Sequence, residues 1–197
     1  MALTASWLSY SVEGERATRS CNRLRVLIKQ LRTQARAVRS SSRRNGHLSD
    51  INEVALIRAW SILESYLNGR GDALLQRDLP VPSPPLPLPE HIRGAVLDQW
   101  TRWPELQKFW EIGLGLGGPL WKQLLEYKEL RNLIAHGHGY VRPRPGRPYT
   151  KALMARLAFA TSSPATYAGR IPLADKDVDR FLALVQRFVD WAEKARP

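Results

Sequence analysis

Residues 175–195, DKDVDRFLALVQRFVDWAEKA, decide the fold class of this chain. Their apolar positions recur at steps of three and four, which is the period of one face of an α-helix. Acidic residues open the segment, where they suit the positive end of the helix dipole. The pattern predicts a helix whose buried side carries Phe181, Leu182, Val185, Phe188, Val189 and Ala192.

The same period recurs upstream. It predicts longer helices over about 15–44, 50–68 and 119–135, and shorter ones over 90–103 and 104–112. Ser40–Ser42 and Asn45-Gly46 are predicted to end the first helix, and Gly69 with Gly71 to break the second, with a shorter helical piece as far as Arg77 as one option.

Two segments interrupt the helical pattern. Residues 80–89 are rich in proline, which excludes helix and predicts an extended connector. Residues 140–168 are predicted to form a loop, with a short hairpin as one option. The expected fold is therefore an all-α bundle of four to six helices. It forms a single domain over 15–197, after a loose lead-in at 1–14.

The composition favours a globular protein over a membrane-spanning or secreted one. A chain of 197 residues with 44% hydrophobic content suits one globular core. It contains no long apolar run and no pattern typical of a secretory signal, so neither a membrane span nor secretion is expected. The single cysteine, Cys21, excludes an internal disulfide and favours a reducing compartment, with the cytoplasm as the simplest location.

The net charge of +12 is concentrated in two places. Residues 1–48 hold ten Arg and Lys against two Glu, and residues 142–156 hold five Arg and Lys without an acid. This pattern favours a polyanionic partner; a solvated surface is the alternative. In the first region a basic stripe lies beside the apolar stripe of Leu24, Ile28, Leu31, Ala35 and Val38. The basic stripe consists of Arg25, Lys29, Arg32, Arg36 and Arg39, and the same steps continue to Arg43.

A short polar motif lies at the end of the helix predicted over 119–135. It reads Arg131-Asn132-Leu133-Ile134-Ala135-His136 and is followed by Gly137. A histidine can move a proton near neutral pH, and an arginine can hold charge on a phosphate without losing its own proton. Arg131 and His136 are about 140° apart on one straight helix, so either a helix end at Gly137 or a second copy of the chain must bring such groups together.

This hexapeptide resembles the Arg-x(4–6)-His motif of the HEPN superfamily. Residues 51–67, which contain Leu63-Glu64-Ser65-Tyr66, resemble an earlier helix of the same family. The resemblance implies a dimerising helical bundle with metal-independent endoribonuclease activity, typical of toxin–antitoxin or anti-phage systems. One subgroup carries a tyrosine two residues after the histidine, where this chain has His138, with Tyr140 following.

The resemblance and the side-chain chemistry together suggest a role for each residue of the site. Arg131, Asn132 and His136 are the predicted catalytic residues. Glu64, Lys128, His138 and Tyr140 are candidates for support. The basic stripe and a second group, Arg142, Arg144 and Arg147, are predicted to bind the RNA backbone. A helix-terminal histidine and a surface salt bridge of Arg131 remain the ordinary alternatives.

No cofactor and no metal are expected, because a His136-x-His138 pair needs further ligands that the chain scarcely offers. The expected partners are RNA, a second copy of the chain and an antitoxin or defence-system protein. The competing hypothesis is a non-catalytic, basic helical module that binds nucleic acid or protein.

Overall fold

The computed structural model describes residues 10–78, 108, 110–111, 118–137, 161 and 173–194, with backbone alone at 41–42, 74–78 and 136–137. Every regular element in this part of the chain is helical. The four helices are α1 (Val12–Arg36), α2 (Ser41–Asp78), α3 (Pro119–Gly137) and α4 (Asp175–Lys194). The expectation of an all-α bundle is confirmed. The proline-rich segment 80–89 and the segment 140–168 that was predicted to be a loop, apart from Thr161, lie outside the described residues.

The two helices predicted over 119–135 and 175–195 are found at those places, as α3 and α4. The boundaries of the first two helices were predicted less well. Helix α1 begins at Val12, because Ser11 caps it by accepting a hydrogen bond from the Gly14 N–H at 3.0 Å. It ends at Arg36, well before the predicted end at residue 44.

The prediction that Ser40–Ser42 and Asn45-Gly46 end a helix was wrong, because these residues begin α2. The Ser40 carbonyl accepts from the Arg44 N–H at 2.9 Å, which closes the first turn. Serine is a preferred residue at helix starts, so a serine run marks a start as readily as an end. Gly46 lies inside the helix, and its unfavourable propensity of about 1 kcal/mol is small beside the packing of α2.

The predicted break at Gly69 and Gly71 was also wrong, because α2 continues to Asp78. Gly69 faces the start of α1, where a Cβ atom would lie 3.1 Å from Cγ of Glu13. Glycine at this position therefore allows the two helices to approach closely. The propensity cost is offset by that contact.

Helices α1 and α2 pack against each other along their length, and α4 packs against both. Helix α3 packs on α4 and α2, without an extensive contact with α1. It follows that α1 and α3 flank the α2–α4 pair on opposite sides. No described helix combines the length and the apolar character needed to cross a bilayer.

Aromatic side chains of α4 hold the core together. Phe181 stacks on Tyr127 of α3 with ring centroids 4.5 Å apart, and on Trp60 of α2 at 5.9 Å. Phe188 contacts Trp121 of α3 at 5.4 Å and Trp110 at 6.1 Å. Burying one such side chain stabilises the fold by roughly 1.5–3 kcal/mol, and the ring pairs add to this.

Candidate functional site

Helix α3 carries the polar motif Arg131–His136. The apolar side of α3 determines the orientation of the helix in the bundle. Trp121, Leu124, Tyr127, Leu130 and Ile134 are all buried, and the first and third of them contact the aromatic rings of α4. This packing sets the rotation of α3 about its own axis. As a result Arg131 lies at the seam between α3 and α2 rather than on the outer face.

At that seam Arg131 meets two polar groups. Its Nη1 donates a hydrogen bond to Oδ1 of Asn132 at 3.0 Å. Its Nη2 lies 3.8 Å from Oε2 of Glu64 on α2, close enough for an ion pair but too far for a hydrogen bond. The side chains of Arg131 and Glu64 retain 29% and 34% of their exposure, so water screens the pair and its contribution to stability is small.

For binding a further group, the remaining N–H donors of Arg131 are more important than this ion pair. Its Nε is buried and has no hydrogen-bond partner among the described residues. A guanidinium carries five N–H donors in a fixed fork that matches two oxygens of a phosphate. A buried N–H donor without a hydrogen bond costs free energy unless another group bonds to it.

His136 lies in the last described turn of α3, where the backbone is helical as far as Gly137. Asn132 is four residues earlier and therefore shares a helix face with it. Arg131 is five residues earlier, so its Cα lies about 140° around the axis from that of His136. Because the helix continues through His136, its end does not bring the two residues onto one face.

Lys128 lies three residues before Arg131 and four before Asn132, so it belongs to the same sector of α3. Burial lowers the pKa of its ammonium group, and the nearby charge of Glu129 opposes that shift. The seam between α2 and α3 thus holds the Arg131 guanidinium, the Asn132 amide and the Glu64 carboxylate, and Lys128 lies one turn before them on α3.

The basic stripe of α1 is placed differently from what the pattern predicted. Arg32 is only 7% exposed, and its guanidinium donates to Oδ1 of Asn52 at 2.9 and 3.1 Å and to Oδ1 of Asp179 at 2.9 Å. It also lies 3.1 Å from a carboxylate oxygen of Asp175. Arg32 is therefore an internal residue, and the predicted role in binding RNA does not fit this placement.

Two more members of the stripe also contact α4. Arg25 donates to the Leu182 carbonyl at 3.2 Å, and Arg36 pairs with Asp175. Lys29 and Arg39 are exposed. The stripe is thus largely the side on which α1 docks onto α4. The acids that attract it are separated from it by more than a hundred residues, which a local pattern cannot reveal.

Asn52 was not singled out from the sequence, yet it lies at the centre of this network. It is 1% exposed, and its Nδ2 donates to the Leu173 carbonyl at 2.9 Å and to Oδ1 of Asp175 at 3.0 Å. A polar residue among the apolar positions of 51–67 is the one signal in the sequence that pointed to it.

The structure therefore brings Glu64, Arg131 and Asn132 together, with Lys128 one turn earlier on α3 and the His136 backbone one turn later. The basic stripe lies on the far side of the α2–α4 pair from Arg131 in the same subunit. The side chain of His136 and the residues His138, Tyr140, Arg142, Arg144 and Arg147 lie outside the described part of the chain. The chain matches no protein-family model, no curated protein and no solved structure, so its likeness to the HEPN superfamily depends on residues 51–67 and 131–136 alone.

Proposed function

We propose that this protein is a metal-independent endoribonuclease of the HEPN type that acts as a homodimer. The observation that carries the proposal is the state of Arg131. Its guanidinium contacts Asn132 and Glu64, its side chain is 29% exposed, and it has further N–H donors beyond these two contacts. Such a group is suited to hold a phosphate oxygen, five residues before a histidine that can transfer protons.

The proposed reaction needs only the RNA and two histidines. The ribose 2′-hydroxyl attacks the adjacent 3′-phosphorus, and His136 accepts its proton as general base. The new 2′-O–P bond forms as the P–O5′ bond breaks. His136 of the partner subunit gives a proton to the leaving 5′-oxygen. The products are a 2′,3′-cyclic phosphate and a 5′-hydroxyl, and no water, oxidant or reductant is consumed.

Arg131 would stabilise the charge that builds up on the phosphoryl oxygens, an electrostatic role that requires a donor fixed before the reaction starts. Asn132, on the face that it shares with His136, would hold a phosphate oxygen or orient the imidazole. Glu64 would keep Arg131 in place, and Lys128 would add positive charge. Two copies facing each other would offset the 140° that separates Arg131 from His136 on one helix.

The test uses purified protein with tRNA, an mRNA transcript and a DNA of the same sequence, with and without EDTA. RNA is expected to be cut in both conditions, DNA to stay intact, and the new ends to carry cyclic phosphate and 5′-hydroxyl. His136→Ala should slow cleavage by roughly 10²–10⁴-fold, and Arg131→Ala by roughly 10²–10³-fold.

Two control variants match these substitutions. His47 and Arg19 are exposed residues of α2 and α1, so His47→Ala and Arg19→Ala remove the same groups elsewhere. Both should cleave at the rate of the unaltered protein. RNA ends that carry a 5′-phosphate would contradict the mechanism. Tight RNA binding without any cleavage would favour the alternative function, a non-catalytic basic helical module.

The biological setting is part of the proposal. An RNA-cutting protein of this type would act as a toxin or an anti-phage effector, held in check by a partner protein. Expression in growing cells should then arrest growth, and alanine at Arg131 or His136 should restore it. Equal toxicity of the double variant would argue against the nuclease role.

A further inference from the structure

A long groove lies between the outer sides of α1 and α2. It consists of a depression of about 700 Å³ and an adjoining one of about 250 Å³, which share Leu24, Leu27 and Arg58. The groove begins near Glu13 and Gly69 and ends near Leu31 and Asp50. At about 1.5 Å of rise per helical residue, it is about 27 Å long.

The smaller depression is strongly apolar. The described residues include five exposed large hydrophobic side chains, and three of them, Leu27, Leu31 and Val54, line it. A fourth, Val26, borders the same face beside Leu27. Val54 is 58% exposed and Leu27 is 47% exposed. Scattered exposed apolar residues are ordinary, but a cluster along one groove marks a surface that binds another molecule.

The larger depression is lined by positive charge. Arg16 and Arg23 are seven residues apart on α1 and so lie on one face, and Arg58 lies across from them on α2. None of these three guanidiniums makes an ion pair with a described residue, and all three are exposed. The acidic residues that line the groove, Glu13 and Asp50, lie at its two ends.

We propose that this groove binds an amphipathic α-helix of about 18 residues from a partner protein, with acidic side chains along its flank. Its apolar anchors would contact Leu27, Leu31 and Val54, and its carboxylates would pair with Arg16, Arg23 and Arg58. A helix laid in an apolar groove is a common mode of peptide recognition, and the backbone groups in the interior of such a helix bond to one another.

The charges favour this occupant over a second copy of the chain. Two copies joined through this face would bring the groove arginines of both copies, Arg16, Arg23 and Arg58, close together. Each copy also carries a net charge of +12. Such like charges repel, whereas a helix rich in Glu and Asp neutralises the arginines. The lining of the groove does not include Arg131, Asn132 or Glu64. The inference therefore does not depend on the nuclease proposal.

The experiment uses the full chain and two synthetic peptides of about 18 residues. One carries leucines at steps of three and four with glutamates beside them, and the other has lysine in place of each glutamate. Binding is measured by fluorescence anisotropy at low and high salt. The glutamate peptide should bind, more weakly at high salt because ions screen the pairing. The lysine peptide should bind at least tenfold more weakly.

Two exposed valines give a matched pair of variants. Val54 and Val12 are both 58% exposed, but only Val54 lines the groove. Val54→Asp should weaken the glutamate peptide at least tenfold, and Val12→Asp should leave it unchanged. Replacing Arg16, Arg23 and Arg58 together by Glu should reverse the preference in favour of the lysine peptide.

Three results would overturn the proposal. The first is absence of binding by the glutamate peptide at millimolar concentration. The second is equal binding by Val54→Asp and Val12→Asp, which would place the peptide elsewhere. The third is a dimer in light scattering that Val54→Asp converts into a monomer, which would assign the groove to a second copy of the chain.

Discussion

Oε2 of Glu64 lies 3.8 Å from Nη2 of Arg131 across the seam between α2 and α3. The two residues are far apart in sequence, and they belong to the two segments that resemble the HEPN superfamily. Because both side chains are about a third exposed, the pair does little for stability. Its consequence is positional: it restricts where the guanidinium of Arg131 can point.

This relationship predicts the behaviour of Glu64→Gln. The amide keeps the size of the side chain but loses the charge that attracts Arg131. The rate constant of RNA cleavage should fall about tenfold, as expected for a loosened electrostatic donor. Affinity for RNA should stay the same or rise, because one negative charge is removed beside the phosphate site. Single-turnover cleavage and RNA titration measure the two effects separately.

Glu15→Gln is the control for Glu64→Gln, since it removes the same charge from an exposed position on α1. It should alter neither the rate constant nor the affinity. An unchanged cleavage rate in Glu64→Gln would show that Arg131 does not need this carboxylate.

Arg32→Ala should destabilise the fold by about 3 kcal/mol, because it leaves the buried Asn52 without its donor and removes one cationic partner of Asp175, Arg36 being another. Urea unfolding followed by circular dichroism measures the change. Lys29→Ala, an exposed change on the same helix, should stay within about 0.5 kcal/mol of the unaltered protein. Similar midpoints for the two variants would contradict the structural role of Arg32.

Two glycines should respond to alanine in opposite directions. Gly46 lies within α2, and a Cβ there would have no atom within 4 Å. Gly46→Ala should therefore raise the free energy of unfolding by about 0.5–1 kcal/mol, through the lower backbone entropy of the unfolded chain and the better helix propensity.

Gly14→Ala is expected to lower the free energy of unfolding. A Cβ at this position would lie 3.0 Å from Cδ of Glu193 and 3.1 Å from its Cγ. Glu193 is 2% exposed and accepts hydrogen bonds from Ser11 and Tyr66, so it cannot move aside without breaking them. Thermal unfolding of Gly46→Ala and Gly14→Ala measures the two changes in stability. A Gly14→Ala protein that is more stable than the unaltered one would refute this packing.

Cys21 should be inert in the folded protein. Burial raises the pKa of its thiol from 9.0 to about 11, against the opposing charge of Arg25. The thiolate is the reactive form, so a disulfide reagent at pH 8 should react on the order of a hundredfold more slowly than with an exposed thiol. Urea should restore the fast reaction. The chain has no other cysteine, so the whole signal comes from this residue.

The same pKa shift predicts a change in stability at high pH. The folded-state pKa is raised, so the contribution of the buried neutral thiol is fully present below pH 9 and is lost as the pH rises through 11. Cys21→Ala should remove this part of the alkaline loss. An alkaline unfolding profile identical in Cys21→Ala would assign the loss to other groups.

Much of the fold was predictable because helix formation depends on local periodicity. The places of α3 and α4 follow from apolar residues three and four positions apart. The starts and ends of α1 and α2 were harder, because serine and glycine favour both the interruption and the initiation of helices. Their outcome depends on what packs nearby, as at Gly69 beside Glu13.

Part of the candidate site could likewise be predicted from the sequence, and part depends on how the helices pack. Arg131, Asn132 and His136 were selected from their order in the chain, because their chemistry and spacing are visible there. The sequence offered Glu64 only as a candidate for support, and the packing of α3 on α2 brings its side chain to Arg131.

The helices, the polar motif of α3 and the excess of positive charge can all be predicted from the sequence, since each depends on residues that are close together along the chain. Which of those charges face the solvent depends on how the helices pack. Arg25, Arg32 and Arg36 contact α4, whereas Arg16, Arg23 and Arg58 line an open groove. The physical reason is that a charge is neutralised by what lies beside it in space, and the partners of Arg32 on α4 are 143 and 147 residues away along the chain.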